Sequence, residues 1–562
     1  MPRIVRREAP APGEWPGVHP VLRRVYAARG VGAPSAIPSR LADLLPPDTL
    51  GGIDAAARLL AEAVRTDRRI VVVGDFDCDG ATGVAVGVRG LRMLGARHVA
   101  FQVPHRVLHG YGLTPGLVDA MEPLRPELVV TVDNGIACHA GIAAAKARGW
   151  DVLVTDHHLP GPKLPPADVI VNPNVPGDGF ASKALAGVGV LFYVLLATRR
   201  RLREAGPGAD ADLSQLLDLV AVGTVADMVP LDANNRILVA AGLRRLREGR
   251  CQPGLRALAD VAGRRLDRLV ANDIGYAIAP RINAAGRLED MAIGIECLLA
   301  DDPSRAAELA RVLDAINRER RGVQEDMLDD AGRCMAVELA DGAAGVCVHD
   351  ALWHPGVVGL VAGKLKERLH RPVVAFAPSA PGSDEWRGSA RSIPGFHVRD
   401  ALAEIDAAHP GLIQRFGGHA MAAGLGLREA DLAAFAEAFQ AVARARIAPE
   451  SLDATVLSDG ELGADEVSLD LAQQLRWGGP WGQGFPEPLF DGEFGVASWR
   501  VVGERHLKFQ LERDGRRVEG IEFGGWNETP PPAAVRIAYR LDVNEWRDTC
   551  SVQLVVVHRE PA

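Results

Sequence analysis

Short apolar runs alternate with amphipathic stretches of helical length in the first part of the chain. Short runs rich in Val, Ile and Leu are typical of buried strands, whereas apolar residues at helical spacing are typical of amphipathic helices. The pattern predicts strands at 69–74, 128–132, 151–155 and 169–171 and helices at 21–29, 82–94 and 138–148. Strands that alternate with helices in this way form a parallel sheet with helices on both faces.

The pattern changes twice in the second half of the chain. The stretch 303–338 is polar, has few glycines and no proline after Pro303, and predicts one long helix that connects two domains. A smaller α/β pattern follows, with strands expected at 345–349, 373–377 and 386–392 and helices at 357–369 and 398–408. From about residue 450 the chain is all-β, with strands expected at 489–496, 506–511, 518–523, 535–543 and 551–557, which indicates a small OB-like barrel.

These shifts divide the chain into five predicted segments. They are an N-terminal arm at 1–45, an α/β domain at 46–302, the connecting helix at 303–338, a second α/β domain at 339–449 and the barrel at 450–562. A chain of 562 residues is too long for one hydrophobic core, because single cores stop growing beyond about 250 residues.

Composition adds few constraints. Hydrophobic residues make up 48% of the chain and charged residues 24%, as in soluble globular proteins. No apolar run reaches the length of about 18 residues that a membrane span needs, and the N-terminus does not resemble a secretory signal. The seven cysteines are scattered singly, which favours reduced thiols and a cytoplasmic location. The formal net charge of −9 argues only weakly against a nucleic-acid substrate, because acidic metal ligands contribute to it.

Acidic residues are concentrated directly after the predicted strands. Because a strand has a two-residue period, Asp75, Asp77 and Asp79 are expected on one side of the chain. The carboxyl ends of parallel strands meet at one edge of the sheet, where open α/β folds bind their ligands. The whole set comprises Asp75, Asp77, Asp79, Asp133, Asp156, His157, His158 and Asp227.

So many carboxylates cannot share a buried site without a counter-charge, because like charges repel and unpaired burial is costly. Divalent cations turn that repulsion into coordination, and oxygen-rich ligands with an imidazole suit Mn²⁺ or Mg²⁺ better than structural zinc. The set is large enough for two ions that share a bridging carboxylate. The alternative, an aspartate that only caps a helix, fits Asp79 taken alone and does not explain the group.

The order and spacing of these motifs resemble the DHH phosphoesterase superfamily. The matching elements are DFDCDG at 75–80, VDNG at 132–135, DHH at 156–158 and ADMVP at 226–230. Further segments resemble the RecJ single-strand DNA exonucleases, at 103–113, 172–174, 185–190, 280–288, 388–392, 417–424, 481–490 and 541–546. The resemblance implies a DHH catalytic domain, a DHH-associated domain and a C-terminal OB-fold nucleic-acid-binding domain.

The resemblance also implies individual roles. The metal ligands would be Asp77, Asp79, Asp133, His157 and Asp227, with Asp133 as the bridge. Asp75 lies near a position where compact superfamily members use a histidine ligand, so that a carboxylate would take over here. His158 would face the scissile phosphate and stabilise charge there, and Asp156 would orient a ligand histidine by a hydrogen bond. The chain departs from the family pattern at His109, where an acidic residue is expected before Gly-Tyr-Gly.

Contacts to DNA are implied for Arg106, Tyr111, Arg281, Ser389, Arg391 and His419. Arg106 and Arg281 are candidates for the terminal phosphate, because a guanidinium forks onto phosphate oxygens. The open alternatives are ion pairs for these arginines and ordinary tight turns for the Gly-rich segments at 388–392 and 417–419. Two roles are open for the aromatic residues of the barrel, stacking on bases or packing in the core, namely for Trp477, Trp481 and Trp499.

The resulting hypothesis is an exonuclease that degrades single-stranded DNA from its 5′ end, releases 5′-mononucleotides by two-metal catalysis, and serves recombination and mismatch repair. A cleft between the α/β domains would admit one strand, and the barrel would add binding length. Expected partners are single-strand-binding protein and repair helicases, with no membrane contact and a monomeric state.

Two alternatives stay open. One is a small-substrate DHH enzyme, such as an oligoribonuclease or a cyclic-dinucleotide phosphodiesterase, against which the extra barrel argues. The other is a non-catalytic binding subunit. Such relatives lose metal ligands, and in this sequence the set is complete.

Overall fold

The computed structural model describes residues 2–11, 13–34, 37, 40–106, 109–206, 210–340, 342–546 and 549–562, without the side chains of 334–340 and 546. The chain forms two compact units. The larger unit comprises residues 4–286, 290–314 and 456–562, and the smaller comprises 1–3, 287–289 and 315–455. None of the described helices combines the length and the apolar character that crossing a bilayer requires.

A parallel sheet forms the centre of the larger unit, preceded by a short strand β1 (Arg3–Arg6) and helix α1 (Pro20–Ala27). Its five strands are β2 (Ile70–Val73), β3 (Val99–Gln102), β4 (Leu128–Val132), β5 (Asp151–Thr155) and β6 (Val169–Val171), in the order β3-β2-β4-β5-β6. Every neighbouring pair is parallel, which confirms the predicted fold class. The sequence pattern missed β3, an edge strand that is only partly buried and therefore carries a weak apolar signal.

Helices cover both faces of this sheet. They are α2 (Ile53–Arg65), α3 (Cys78–Met93), α4 (Pro115–Ala120), α5 (His139–Ala147), α6 (Gly187–Ala205), α7 (Leu217–Ala226), α8 (Ala233–Arg247), α9 (Pro253–Val261), α10 (Ala271–Asp273), α11 (Ala279–Leu288) and α12 (Ala292–Leu299). A π-helical turn, Ile274–Ile278, joins α10 to α11. Helix α3 begins earlier than predicted, because the Asp77 side chain caps it by accepting a hydrogen bond from the Gly80 N–H at 3.0 Å.

The long helix α13 (Pro303–Ala340) leads into the smaller unit, as the polar stretch predicted. The sheet of that unit contains β7 (Val346–His349), β8 (Val373–Pro378), β9 (Glu385–Arg391), β10 (Arg415–Gly418) and β11 (Ala422–Arg428), in the order β10-β11-β9-β8-β7. Its helices are α14 (Val358–Leu369), α15 (Val398–Ala408) and α16 (Leu432–Arg446). Strands β10 and β11 are rich in glycine, and the sequence pattern did not predict them.

The C-terminal part of the larger unit is a closed barrel, which confirms the predicted all-β ending. After β12 (Thr455–Ser458), which pairs with β1, and helix α17 (Leu469–Trp477) come the barrel strands β13 (Phe490–Val502), β14 (His506–Arg513), β15 (Arg516–Glu522), β16 (Ala534–Trp546) and β17 (Thr549–Pro561). Phe490, Phe509 and Tyr539 fill the barrel and are at most 2% exposed. Large buried aromatic side chains of this kind supply most of the apolar area in a small barrel.

Candidate metal centre

The predicted metal ligands converge beyond the carboxyl ends of β2, β4 and β5. Their ligand atoms form three overlapping groups, each within 4.8 Å: Asp75, Asp77 and Asp133; Asp79, His157 and Asp227; and Asp133, His157 and His158. Asp133 belongs to two of these groups, and its Oδ1 atom lies 3.0 Å from Nε2 of His157. His157 belongs to two of the groups as well, so the bridging role of Asp133 stays a prediction.

Backbone groups hold the first three aspartates in place. The helix cap considered for Asp79 is formed by Asp77 instead. The Asp79 carboxylate accepts hydrogen bonds from the first N–H groups of α6, those of Gly187 at 2.6 Å and Val188 at 3.0 Å. A Cβ atom on Gly80 would lie 2.5 Å from the backbone N of Asp75, so that only glycine allows this tight approach.

Asp133 is held in an unusual backbone conformation. Its φ angle is +60°, in the left-handed region that costs a non-glycine residue about 1–2 kcal/mol. A Cβ atom on Gly187 would lie 2.5 Å from Cβ of Asp133, which leaves no room for a larger residue at that position. The Tyr111 hydroxyl donates a hydrogen bond to the Asp133 carbonyl at 3.2 Å. Strain of this kind persists where the surroundings fix a functional geometry.

Burial and mutual repulsion raise the pKa of the clustered carboxyls. Burial, followed by the charge of Asp77, raises the pKa of Asp75 to about 8 and that of Asp79 to about 7. Burial and the charges of the neighbouring aspartates raise the pKa of Asp133 and of Asp227 well above the ordinary value. Burial, with the charge of His158, lowers the pKa of His157 to about 4, which keeps its imidazole neutral and able to bind a metal.

Two carboxylate oxygens of the cluster are buried without a hydrogen-bond partner among the described residues, Oδ1 of Asp75 and Oδ2 of Asp227. The second lies 3.5 Å from Nε2 of His157, outside hydrogen-bonding geometry. Buried polar atoms normally have partners, and orphaned ones indicate an additional group. Oxygen ligands with one imidazole fit a divalent metal ion.

Asp156 has the predicted orienting role but acts on a different histidine. Its Oδ1 atom accepts a hydrogen bond from Nδ1 of His158 at 2.8 Å, and its Oδ2 atom accepts one from the N–H of Ile136 at 2.9 Å. Burial alone would raise the pKa of Asp156, but the hydrogen bond and charge of His158 lower it below the ordinary value. Burial opposes the charging of His158, yet Asp156 raises the pKa of this imidazole to about 9.

Three asparagines support the site, and no role was predicted for them. The side-chain amides of Asn172 and Asn174 donate hydrogen bonds to the carbonyls of His158 at 2.9 Å and His157 at 2.6 Å. Asn283 accepts a hydrogen bond from the Cys78 N–H at 2.8 Å. The sequence signal for Asn172 and Asn174 is their position on either side of a proline, directly after strand β6.

The predicted DNA contacts of the larger unit differ in their surroundings. The Arg106 guanidinium lies 3.8 Å from the centroid of the Phe76 ring, and its Nε–H donates to the Gly286 carbonyl at 2.9 Å. The Tyr111 ring packs edge-to-face on Phe76 and on His158, so that Arg106 and Tyr111 border the metal centre. Arg281 is ion-paired with Asp314 at 2.9 Å, the alternative that the sequence left open. The neighbouring motif residues 107 and 108 lie outside the described part of the chain.

The remaining predicted DNA contacts lie together on the sheet of the smaller unit. Arg391 donates to the Ser389 hydroxyl at 2.9 Å, and burial lowers the pKa of its guanidinium. Arg391 has no carboxylate partner among the residues that the structure describes. A Cβ atom on Gly359, in the first turn of α14, would lie 2.9 Å from its Nη2 atom. His419 lies in the turn between β10 and β11, and its N–H donates to Ala422, the cross-strand partner of Arg391.

The three tryptophans of the C-terminal region have different environments. Trp481 stacks on Tyr26 and on Phe485 and packs against the core. Trp477 is 45% exposed, and the guanidinium groups of Arg247 and Arg476 lie over its ring. Trp499 is 38% exposed, so that only the first of the three has a purely structural environment.

Known families and structures match this architecture over nearly its whole length. The chain matches the family models of the DHH family N-terminal domain over residues 69–224, the DHHA1 domain over 342–445 and the RecJ OB domain over 458–558. These matches define a DHH-type phosphoesterase fold with a DHHA1 domain and an OB domain. A single-stranded-DNA-specific exonuclease RecJ of Dickeya dadantii (strain 3937) is 48% identical over 571 residues, with 99% of each chain covered. The chain belongs to the RecJ family of single-stranded-DNA-specific exonucleases.

Two crystal structures extend the comparison to metal complexes. RecJ from Thermus thermophilus in complex with Mn²⁺ is 33% identical with a TM-score of 0.80, and the match covers 97% of this chain and 76% of that chain. The same protein in complex with Mg²⁺ is 31% identical with a TM-score of 0.75, covering 97% and 75%.

Proposed function

We propose that this chain is a metal-dependent exodeoxyribonuclease that hydrolyses single-stranded DNA from the 5′ end and releases 5′-mononucleotides. The observation that carries the proposal is the cluster of carboxylates at the edge of the parallel sheet, two of whose buried oxygens have no hydrogen-bond partner among the described residues. Membership in the RecJ family supports the substrate, because its relatives are single-stranded-DNA-specific exonucleases. Complexes of a relative with Mn²⁺ and with Mg²⁺ support these two ions as cofactors.

The ligand groups are consistent with two ions. Asp75, Asp77 and Asp133 would hold one, and Asp79, His157 and Asp227 the other. The family resemblance implies Asp133 as the bridge. A pair of bound divalent ions lowers the pKa of water and stabilises negative charge on both oxygens of a phosphoryl displacement. The protein itself supplies the preorganised geometry, since the α6 N-terminus fixes Asp79 and the left-handed backbone fixes Asp133.

His158 and Tyr111 are assigned to the scissile phosphate. The His158 side chain is 46% exposed and is oriented by Asp156, while its edge-to-face contact with Tyr111 limits how the ring can turn. A fixed imidazole next to the ligand group can donate a hydrogen bond to a phosphate oxygen or to the leaving group. Arg106 adds a positive charge on the Phe76 side of the same site.

The backbone of the single strand is assigned to Arg391, Ser389 and His419 in the smaller unit. A buried guanidinium without a carboxylate partner among the described residues is a ready binding group for phosphate. Arg281 is less suited to the 5′-phosphate, because Asp314 already neutralises it. Contacts to phosphates rather than to base edges would make digestion independent of sequence.

The wider biological setting is also part of the proposal. The family resemblance supports a role in DNA recombination and mismatch repair, in the cytoplasm, together with single-strand-binding protein and repair helicases. A monomer is the expected oligomeric state.

The decisive experiment follows 5′-labelled and 3′-labelled single-stranded DNA in the presence of Mn²⁺. Release of labelled mononucleotide from the 5′ label before any shortening at the 3′ label is the expected result. Cleavage of dinucleotides alone would replace the proposal by the small-substrate alternative, and binding without cleavage would replace it by a non-catalytic role. Asp301→Asn is a matched control for variants of the cluster, because the Asp301 side chain is 84% exposed and pairs with Arg89.

A further inference from the structure

Two helices of the larger unit, α8 and α17, end at the same surface patch. The guanidinium of Arg247, the last residue of α8, lies over the Trp477 ring, with Cζ 4.5 Å from the ring centroid. The Arg476 guanidinium lies 5.5 Å from the same centroid. Trp477 is the last residue of α17 and is 45% exposed. We call Arg247, Arg476 and Trp477 the arginine–tryptophan patch.

Arg247 lacks a counter-charge. Its Nε–H donates to the Leu269 carbonyl at 2.7 Å, and it has no carboxylate partner among the residues that the structure describes. Burial, followed by the charges of Arg476 and Arg244, lowers the pKa of this guanidinium to about 10, and the charge of Asp273 offsets only part of the effect. Because like charges oppose ionisation in a partly buried site, a carboxylate supplied from outside would be bound favourably here.

The nearest carboxylate of the patch is shared between two arginines. Glu545, near the end of β16, lies 3.4 Å from Arg476 and also contacts Arg268, which in turn lies 3.9 Å from Asp267. Glu545 is thus divided between two guanidinium groups, while Arg247 keeps its whole charge. The patch is therefore a locally positive area on a chain whose formal net charge is −9.

The patch is separate from the exposed tryptophan of the barrel and from the metal centre. Strand β16 runs antiparallel to β13, with Tyr539 opposite Phe490, the first residue of β13. Glu545 therefore lies beyond the beginning of β13, whereas Trp499 lies near its end, so that the two residues are at opposite ends of these strands. No residue of the patch belongs to the ligand groups of the metal centre.

The chemistry of the patch favours an acidic protein segment as its ligand. Arginine and tryptophan are enriched at binding hot spots, and arginine clusters recognise acidic motifs. The guanidinium groups can bind carboxylates, while the ring of Trp477 offers an apolar surface to a neighbouring side chain. A nucleic-acid strand fits less well, because it carries a charge on every nucleotide and Glu545 would repel part of it. Since the chain as a whole is negative, an acidic partner is steered to this patch and repelled elsewhere.

We propose that the arginine–tryptophan patch is a docking site for an acidic segment of a partner protein, one in which carboxylates lie next to an apolar side chain. The inference goes beyond the proposed function, because it assigns a protein contact to residues that take no part in hydrolysis. It does not depend on nuclease activity and can therefore be tested on the metal-free protein.

The test measures binding of a fluorescein-labelled peptide, a run of aspartates that ends in a leucine, to the full-length protein in EDTA by fluorescence anisotropy. Arg247→Gln and Trp477→Ala should each bind the peptide about tenfold more weakly, because a few arginine and tryptophan side chains dominate such interfaces. Arg247→Lys keeps the charge and should lose less affinity than Arg247→Gln. A peptide with asparagine in place of every aspartate should not bind measurably.

Arg58→Gln is the matched control, because it removes one exposed arginine from α2 and should leave peptide binding unchanged. Urea unfolding of each variant separates a lost contact from misfolding. Affinity for oligo-dT and its digestion with Mn²⁺ should be the same in Arg247→Gln as in the wild type.

Three results would overturn the inference. The first is that the wild-type protein does not bind the acidic peptide, or that Arg247→Gln and Trp477→Ala both bind it with wild-type affinity. The second is an equal loss of peptide affinity in Arg58→Gln, which would indicate a diffuse effect of charge. The third is an equal loss of affinity for oligo-dT in Arg247→Gln, which would assign the patch to the nucleic-acid substrate instead.

Discussion

Two groups of buried carboxylates in the larger unit have opposite electrostatic environments. At the junction of the N-terminal arm and the barrel, Asp459 pairs with Arg29 at 2.8 Å, and their side chains are 0% and 1% exposed. Nearby, Asp491 pairs with Arg6 at 2.9 Å and Arg536 at 3.2 Å. In the metal centre the carboxylates face one another, and two of their oxygens have no hydrogen-bond partner among the described residues.

The pKa values reflect this difference. Burial alone would raise the pKa of Asp491, but hydrogen bonds from Arg6, Ser458 and Arg536 lower it below the ordinary value. The pKa values of Asp75 and Asp79 are raised instead, since burial and neighbouring carboxylates both oppose ionisation. Burial of an acid therefore does not identify a functional site. An excess of clustered carboxylates over nearby cations does, because His158 and Arg106 offset only part of the negative charge and the rest has to be supplied from outside.

The largest expected effect comes from removing the shared ligand. Asp133→Ala should reduce kcat on single-stranded DNA by a factor of about a thousand or more, because the group with Asp75 and Asp77 and the group with His157 and His158 both lose this carboxylate. The metal-free variant should unfold at the same urea concentration as the wild type or a higher one, since a buried repulsion is relieved. Mononucleotide release and urea unfolding in EDTA measure the two effects. Retained activity would show that Asp133 is not an essential metal ligand.

For the ion pair of Arg29 with Asp459 we expect the reverse result, a loss of stability with activity retained. Arg29→Met leaves Asp459 buried with only the more distant Arg7, at 3.7 Å, and should lower the free energy of unfolding by about 3–5 kcal/mol. Activity per folded molecule should stay close to that of the wild type at low temperature, because this pair holds the arm to the barrel and does not contact the metal centre. Urea unfolding followed by circular dichroism gives the first quantity. If kcat fell and stability did not, the distinction between the two carboxylate groups would fail.

A smaller effect is expected from adding metal to the metal-free protein. Mn²⁺ at a hundred times its Kd should stabilise the folded state by about 2.7 kcal/mol, because it binds the native cluster and not the unfolded chain. The rise in Tm measured by calorimetry should disappear in Asp227→Asn, which loses a ligand, and persist in the exposed control Asp301→Asn. An equal rise in both variants would show binding elsewhere.

The smallest effect concerns the stability of the folded protein at acidic pH. Because the folded-state pKa of Asp491 lies below its ordinary value of 3.8, its contribution is present above that pH and is lost as the pH falls through the folded-state pKa. The urea concentration at the unfolding midpoint of the wild type should therefore decrease when the pH is lowered below about 4. In Asp491→Asn the midpoint should depend less on pH in this range. A profile that is the same in both proteins would mean that other groups dominate.

Sequence patterns located most of the structural elements but not all. Strands β4, β5 and β6 have the predicted bounds, since short apolar runs rich in β-branched residues are typical of strands. The edge strand β3 and the glycine-rich β10 and β11 were missed, because partial burial and missing side chains leave no periodic signal. The helix start at Cys78 was misplaced, because the capping aspartate was interpreted only as a metal ligand.

The metal centre was predictable to a similar degree. The convergence of Asp75, Asp133 and Asp227 followed from their places in or after apolar runs and from the family resemblance. The partner of Asp156 was not predictable, because His157 and His158 are adjacent in sequence and only the three-dimensional path of the chain decides which ring meets the carboxylate. The ion pair of Arg281 with Asp314 was undecided for the same reason.

The sequence by itself determined the chemical inventory of this protein: an alternating α/β order, a barrel at the end, and acidic and imidazole ligands at strand ends. Periodicity and spacing are local properties, and they can be read along the chain. Only the tertiary structure decided which buried charges are neutralised. Whether a carboxylate meets an arginine or another carboxylate depends on contacts between residues hundreds of positions apart, as for Asp491 with Arg6.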